Sequence, residues 1–83
     1  MTLQRFTLEW LLPLEPGLPT YVTLHDRGAP RDSGEAMGHG ADEEEALLDL
    51  WTKLVERQDA TEAIDYVAAA YERRAKKPPE RPL

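Results

Sequence analysis

The chain has 83 residues, no cysteine and a formal net charge of −6 at pH 7. This length allows one small domain, and the lack of cysteine excludes disulfide bonds, thiolate metal sites and cysteine nucleophiles. No apolar run reaches the ~18 residues that a membrane span needs, and the first residues lack the pattern of a signal peptide. Because a chain without cysteine is also typical of a reducing compartment, we expect a cytoplasmic protein without membrane contact.

The first predicted element is a strand, because apolar residues recur at every second position from Phe6 to Leu12 before a proline ends the pattern. Residues 13–20 carry Pro16 and Gly17 at their centre, a pair that is typical of a type II turn. A second stretch rich in β-branched and aromatic residues follows from Tyr21 to His25. These features predict two strands joined by a hairpin loop.

The next segment predicts a loop and then a less certain strand. Arg27 to Gly34 is dense in glycine, proline, aspartate and serine, which do not sustain a ladder of hydrogen bonds. Glu35 to His39 has strand-like spacing, but Gly38 and Gly40 weaken this interpretation, since glycine in a strand contributes no packing. The sequence therefore predicts a sheet of either two or three strands.

A helix is predicted from Asp42 onward, where the hydrophobic period changes from two residues to three or four. Asp42 and Glu45 have the spacing of a capping box, and the acidic first turn suits the positive end of the helix dipole. The predicted apolar stripe consists of Leu47, Leu50, Trp51, Leu54 and Val55. This stripe should pack on the sheet.

A second helix is predicted after a break in the stripe near residue 58. Asp59 and Glu62 repeat the spacing of a cap, and the helix must end by Lys77 because two prolines follow. Residues 1–77 should form a single α+β domain with the order β-β-β-α-α, in which the small sheet is antiparallel. Residues 78–83 are predicted to be a disordered, proline-rich tail.

The predicted core lies between the sheet and the first helix. Its members are Phe6, Leu8, Trp10, Val22, Leu24, Leu47, Trp51 and Leu54. The second helix adds an apolar stripe that a core this small should not cover, so we expect a homo-oligomer, a dimer or higher. The candidate interface is Ile64, Val67, Ala68 and Tyr71. Alternatively, this helix folds onto the free sheet face of its own chain, which Leu11 and Tyr21 could line.

Few residues suggest chemistry. The candidates for a metal or acid/base cluster are His25, His39, Asp26, Asp32 and Glu35. The two histidines lack the regular spacing of helix-borne ligands, and the only serine, Ser33, lies in a turn sequence without the strand-to-helix elbow of a hydrolase. We therefore expect no catalytic residue, no metal and no cofactor, and the protein should not be an enzyme.

The distribution of charge argues against binding to nucleic acid. The acidic surplus lies in the first 58 residues, whereas residues 59–83 carry as many acids as bases. The cations near the C-terminus are Arg73, Arg74, Lys76, Lys77 and Arg81. Phosphate binding needs a broad positive surface, and the acidic body of this domain would repel a nucleic acid.

Two segments carry a likeness to a known family. One is the strand Tyr21–Asp26, which ends in an aspartate before a loop containing glycine and proline. The other runs from Gly38 to Leu47 and combines a glycine-bearing strand, a turn and a helix start with the letters EEAL. This arrangement, over residues 5–57, resembles the HicB-type antitoxin domain. The resemblance implies a non-catalytic domain that oligomerises and masks a small, basic ribonuclease toxin.

The residues after the first helix show no pattern of the DNA-binding module that full antitoxins of that family add, so we expect no repressor function. The chain could then mask a toxin or act as a stand-alone oligomeric protein. The alternative function is that of a double-stranded-RNA-binding domain, in which strands also precede a helix whose start is marked by Gly-x-Gly, as at Gly38 and Gly40. Against this alternative, the helix start from Asp42 to Glu45 is acidic where that domain presents lysines to phosphates.

Overall fold

The computed structural model describes residues 5–28 and 35–80. Its elements, in chain order, are β1 (Phe6–Leu11), β2 (Thr20–Asp26), β3 (Glu35–Gly40), α1 (Glu43–Glu56) and α2 (Thr61–Ala75). The predicted α+β fold of order β-β-β-α-α is therefore confirmed, including the third strand. Asp32, Ser33 and the last three residues of the predicted tail lie outside the described residues.

The three strands form an antiparallel sheet in the order β1-β2-β3. The loop between β1 and β2 contains the predicted turn, because Gly17 has a φ of 90° and the Leu18 N–H donates to the Glu15 carbonyl at 3.4 Å. A positive φ at this position is what a type II turn requires. In the register of the two strands, Leu8 lies opposite Leu24 and Trp10 lies opposite Val22, so the apolar residues of both strands share one side of the sheet.

Both helices pack on the same face of the sheet. Gly38 of β3 approaches α1 at Ala46 and Leu50. On β1, the Phe6 ring lies 5.3 Å from that of Tyr66 in α2. Because Phe6 and Gly38 belong to the set of alternate residues that point to one side of the sheet, α1 and α2 lie side by side over that side.

The two glycines of β3, Gly38 and Gly40, allow α1 to approach the strand closely. A methyl group on Gly38 would meet the Ala46 carbonyl oxygen and would lie 2.6 Å from the Leu50 nitrogen. A methyl group on Gly40 would likewise meet the backbone of Glu45 and Ala46. Glycine at these positions lets the backbone of α1 lie directly on β3, so the lost packing of the side chain is replaced by close approach of a helix.

The start of α1 has the predicted cap. The Asp42 carboxylate accepts from the Glu45 N–H at 2.9 Å, and the Glu45 carboxylate reaches back to the Ala41 N–H at 2.7 Å. These bonds satisfy donors that a helix start otherwise leaves unpaired. The reciprocal bond goes to Ala41 rather than to the cap residue itself, which is the only departure from a standard capping box.

The predicted cap of α2 is wrong. The N-cap residue is Ala60, which offers no side-chain acceptor, and Asp59 instead lies 3.6 Å from the Arg57 guanidinium. The helix ends where expected, because Lys76 adopts a left-handed conformation with a φ of 58° and donates its N–H to the Glu72 carbonyl at 2.9 Å. Such a residue is a common way to terminate a helix.

The core lies between the two helices and the sheet. Its buried apolar members are Val22, Leu24, Ala46, Leu47, Leu50, Leu54, Ala63, Val67, Ala70 and Tyr71. The predicted members Phe6, Leu8, Trp10 and Trp51 contact this cluster but remain partly exposed. Leu12 continues the alternation of β1 in the sequence, yet it lies beyond the strand and is 55% exposed.

The fold buries half of the candidate oligomer interface on α2 within the chain itself. Val67 and Tyr71 are only 0% and 5% exposed, because α2 packs on α1 within the same chain. Ile64 and Ala68 are partly exposed on one flank of that contact. The alternative packing, on the free sheet face beside Leu11 and Tyr21, is also wrong, since α2 lies beside α1.

Candidate functional site

The sheet face opposite the helices is the candidate site, and we call it the open face. Its residues are Thr7, Glu9 and Leu11 on β1, Tyr21, Thr23 and His25 on β2, and Glu35, Met37 and His39 on β3. No other element of residues 5–28 or 35–80 packs on this side. A sheet face that no layer of its own chain covers is the place where another molecule can pack.

The open face carries two large apolar side chains, one on each outer strand. Leu11 and Met37 are 66% and 52% exposed, although their strand positions alternate with core positions. They border a shallow depression of about 480 Å³, to whose lining Glu9, Tyr21 and Thr23 also contribute. Large exposed apolar side chains that lie together, rimmed by polar residues, are typical of a surface that binds another protein.

His25 lies near the rim of the open face between two carboxylates. Its Nε2 is 3.2 Å from the Glu9 carboxylate and its Nδ1 is 3.5 Å from that of Glu35. Both glutamate side chains are mostly exposed to solvent. Exposed ion pairs contribute little to stability, so this group gives the face a negative rim rather than a rigid polar centre.

His39 lies at the other end of the face and is held by α1. The Asp49 carboxylate accepts from the backbone N–H of His39 at 3.0 Å, lies 3.4 Å from its Nδ1 and pairs with Lys53 at 2.9 Å. Burial alone would raise the pKa of Asp49, but the bonds from Lys53 and His39 outweigh it and lower this pKa. Tyr21 packs beside the imidazole, with ring centroids 5.9 Å apart.

The structure does not bring the candidate cluster together. Glu35 lies opposite His25, whereas His39 lies four residues further along β3, a separation of about 13 Å along the strand. Asp26 points to the helix side of the sheet. Among the described residues there is no group of three or more histidine, aspartate or glutamate side chains that could hold a metal ion.

Asp26 has a structural role in the hairpin. Its carboxylate accepts from the Arg5 Nε at 2.9 Å and from the Gly28 N–H at 2.8 Å. The bond from Arg5, together with that from Gly28, lowers the pKa of Asp26, and the same pair raises the pKa of Arg5. These contacts tie the end of β2 to the start of β1.

The basic end of the chain is partly neutralised within the fold. The Arg74 guanidinium bonds to the Glu43 carboxylate at 2.8 Å and lies 4.9 Å from the centre of the Trp10 ring. It therefore links the end of α2 to the start of α1 and to β1. A cation engaged in this way is less available to a phosphate than a freely solvated one.

Known protein families, characterised proteins and solved structures provide no match to this chain. None of the helices in the described residues is long and apolar enough to cross a membrane.

Sequence reasoning named only part of the open face. Leu11 and Tyr21 were expected on a free sheet face, but Met37 was not singled out because the third strand itself was uncertain. The signal was present in the alternation, since Met37 lies one residue before Gly38 and must point to the opposite side. Finding it required the assignment of Gly38 to a strand.

Proposed function

We propose that this chain is a non-catalytic protein-interaction domain whose open face binds a small basic protein. The observation that carries the proposal is the pair of exposed apolar side chains, Leu11 and Met37, around a shallow depression on a sheet face that the chain's own helices leave uncovered. The resemblance to HicB-type antitoxins supports a ribonuclease toxin as the partner.

The charge of the open face supports a basic partner. Glu9 and Glu35 form its exposed acidic rim, and the chain as a whole carries a net charge of −6. Exposed apolar side chains next to carboxylates provide packing energy together with electrostatic attraction to a positively charged partner. A positively charged protein would satisfy both requirements, as a small ribonuclease does because it must itself bind RNA.

The alternative, binding to double-stranded RNA, has less support. The first turn of α1 carries Glu43, Glu44 and Glu45, and Glu43 is bonded to Arg74, one of the few cations near it. A phosphate at this helix start would meet carboxylates. We therefore expect no salt-sensitive binding to duplex RNA above the background of the assay.

The test uses the protein encoded by the adjacent reading frame, if that protein is small and basic. We expect the two chains to form a complex with a measurable dissociation constant and the partner's ribonuclease activity to fall in proportion to complex formation. An adjacent frame that encodes no small basic protein, or a basic protein that does not bind, would contradict the proposed partner.

Two matched substitutions locate the surface. Met37→Lys replaces one of the two large exposed apolar side chains of the open face with a cation and should weaken binding by more than about tenfold, since apolar anchors of an interface can contribute more than ~1 kcal/mol and the new charge repels a basic partner. Leu14→Lys makes the same change of charge on a side chain that is 96% exposed in the loop before β2. Equal effects of the two variants would show that net charge, and not the open face, governs binding.

A further inference from the structure

A basic, proline-rich segment leaves the fold after α2. Lys76 ends the helix in a left-handed conformation, and residues 77–80 follow it without regular structure. We call residues 76–83 the tail, and three of its eight residues are proline. Because proline has a fixed φ and no backbone N–H, the tail lacks the donors of a continuous β-ladder and favours the extended polyproline II conformation.

The fold does not use the cations of the tail. The tail carries Lys76, Lys77 and Arg81 against a single acid. Both lysine side chains are exposed, and neither lies within ion-pair distance of a carboxylate in residues 5–28 or 35–80. The preceding cation differs, because Arg74 is bonded to the Glu43 carboxylate at 2.8 Å. The two lysines are therefore free to contact a negatively charged surface outside this fold.

The shallow depression of the open face has the features of a site for such a segment. Leu11, Tyr21 and Met37 give it apolar and aromatic walls, and Glu9 borders it with a side chain that is 73% exposed. Polyproline II segments bind in shallow aromatic and apolar grooves, since a chain that is already extended loses little conformational entropy there. Residues 76–80 do not line the depression of their own chain, so it remains open to another copy.

Charge favours the tail of a second copy as the occupant. Half of the ten lysine and arginine residues of the chain lie in its last 11 residues, and no other segment has a comparable positive charge. The exposed carboxylates of the open face are those of Glu9 and Glu35. Two open faces in contact would bring these carboxylates together, whereas a tail brings cations to them.

We propose that the tail of one copy binds the open face of a second copy, with its cations beside Glu9 and Glu35 and its proline rings against Leu11 and Met37. When each copy supplies one tail and one face, the exchange closes a dimer. A basic protein partner would compete with the tail for this face. The test of the tail uses the chain alone, so either proposal can fail without the other.

The first measurement detects contact between copies by NMR. Because the chain has no cysteine, Glu80→Cys provides one attachment site for a spin label, and it removes no cation from the tail. The labelled chain is mixed with isotopically enriched, unlabelled chain at about 0.5 mM, since small interfaces bind weakly. The amide signals of Leu11, Tyr21 and Met37 in the enriched copy should broaden more than that of Val67 on the helix side.

Three results of this measurement would overturn the proposal. The first is a mixture without broadening. The second is broadening that appears only when the enriched chain itself carries the label, because the tail would then lie on its own chain. The third is broadening centred on Ile64 and Ala68, which would place the contact on the exposed flank of α2.

Charge reversal provides the second measurement, by sedimentation at low salt. The wild type should form dimers, and Glu9→Lys and Lys77→Glu should each weaken the dimer about fivefold, because an exposed ion pair becomes a contact of like charges. An equal mixture of the two variants should restore dimers. In that mixture the reversed tail meets the reversed face, and the unchanged tail meets the unchanged face. Mixing would not rescue a chain whose fold is destabilised.

Arg73→Glu is the matched control, because it makes the same change of charge in the last turn of α2, before the tail begins. It should leave the dimer unchanged. A wild type that stays monomeric would refute the exchange of tails. The same conclusion would follow from a mixture that does not restore dimers, or from Arg73→Glu weakening the dimer as much as Lys77→Glu, since net charge would then govern association.

Discussion

Replacing Gly38 with alanine tests the close contact between α1 and the sheet. The new methyl group would meet the Ala46 carbonyl oxygen, 2.6 Å from the Leu50 nitrogen and 2.7 Å from its Cβ. Two of these three neighbours are backbone atoms of α1, so rotation of a side chain cannot relieve the contact. The whole helix must shift.

The cost follows from what that shift would disturb. α1 contributes Leu47, Leu50 and Leu54, which are among the largest fully buried side chains of the protein. Overpacking of a core costs ~1–3 kcal/mol, and because backbone must move here we expect about 3 kcal/mol of lost unfolding free energy. For a domain of this size that corresponds to a decrease of roughly 12–24 °C in the melting temperature.

The measurement is urea unfolding followed by tryptophan fluorescence, with Gly28→Ala as the control. A methyl group on Gly28 would meet only the Arg5 side chain, whose displacement would weaken the exposed ion pair with Asp26 but would move no backbone. We expect Gly28→Ala to lower the unfolding free energy by less than about 1 kcal/mol, the upper range for an exposed ion pair. If Gly38→Ala were as stable as the wild type, α1 would not lie on β3 as closely as described.

Two further predictions concern the core and the hairpin. Leu50→Ala should lower the unfolding free energy by about 2–5 kcal/mol through lost burial and cavity formation. Leu14→Ala, at a position that is 96% exposed, should lower it by less than about 0.5 kcal/mol. Equal urea midpoints of the two variants would contradict the orientation of α1. The bond from Arg5 lowers the pKa of Asp26 in the folded state. The ionised Asp26 carboxylate therefore stabilises the fold at any pH above 3.8, the ordinary pKa of aspartate, and this contribution disappears as the pH falls through the lowered pKa. The difference in urea midpoint between wild type and Asp26→Asn should therefore shrink from neutral pH to about pH 2, and a constant difference would exclude this ionic contribution.

Local patterns in the sequence predicted most of the fold. The alternation in β1, the turn at Pro16 and Gly17, and the cap at Asp42 each depend on neighbouring residues, and all three appear in the structure. Asp59 had the right spacing for a second cap, but the chain bonds it elsewhere and starts α2 after Ala60. Several residues in a row can satisfy a capping pattern, and tertiary packing decides which one begins the helix.

The contacts between distant elements could not be predicted in the same way. Gly38 weakened the third strand as a local signal, because the helix that makes glycine necessary there comes later in the chain. The stripe on α2 was expected to lie exposed because one sheet face and one helix seemed to complete the core. In the structure α2 lies beside α1, and Val67 and Tyr71 become core residues.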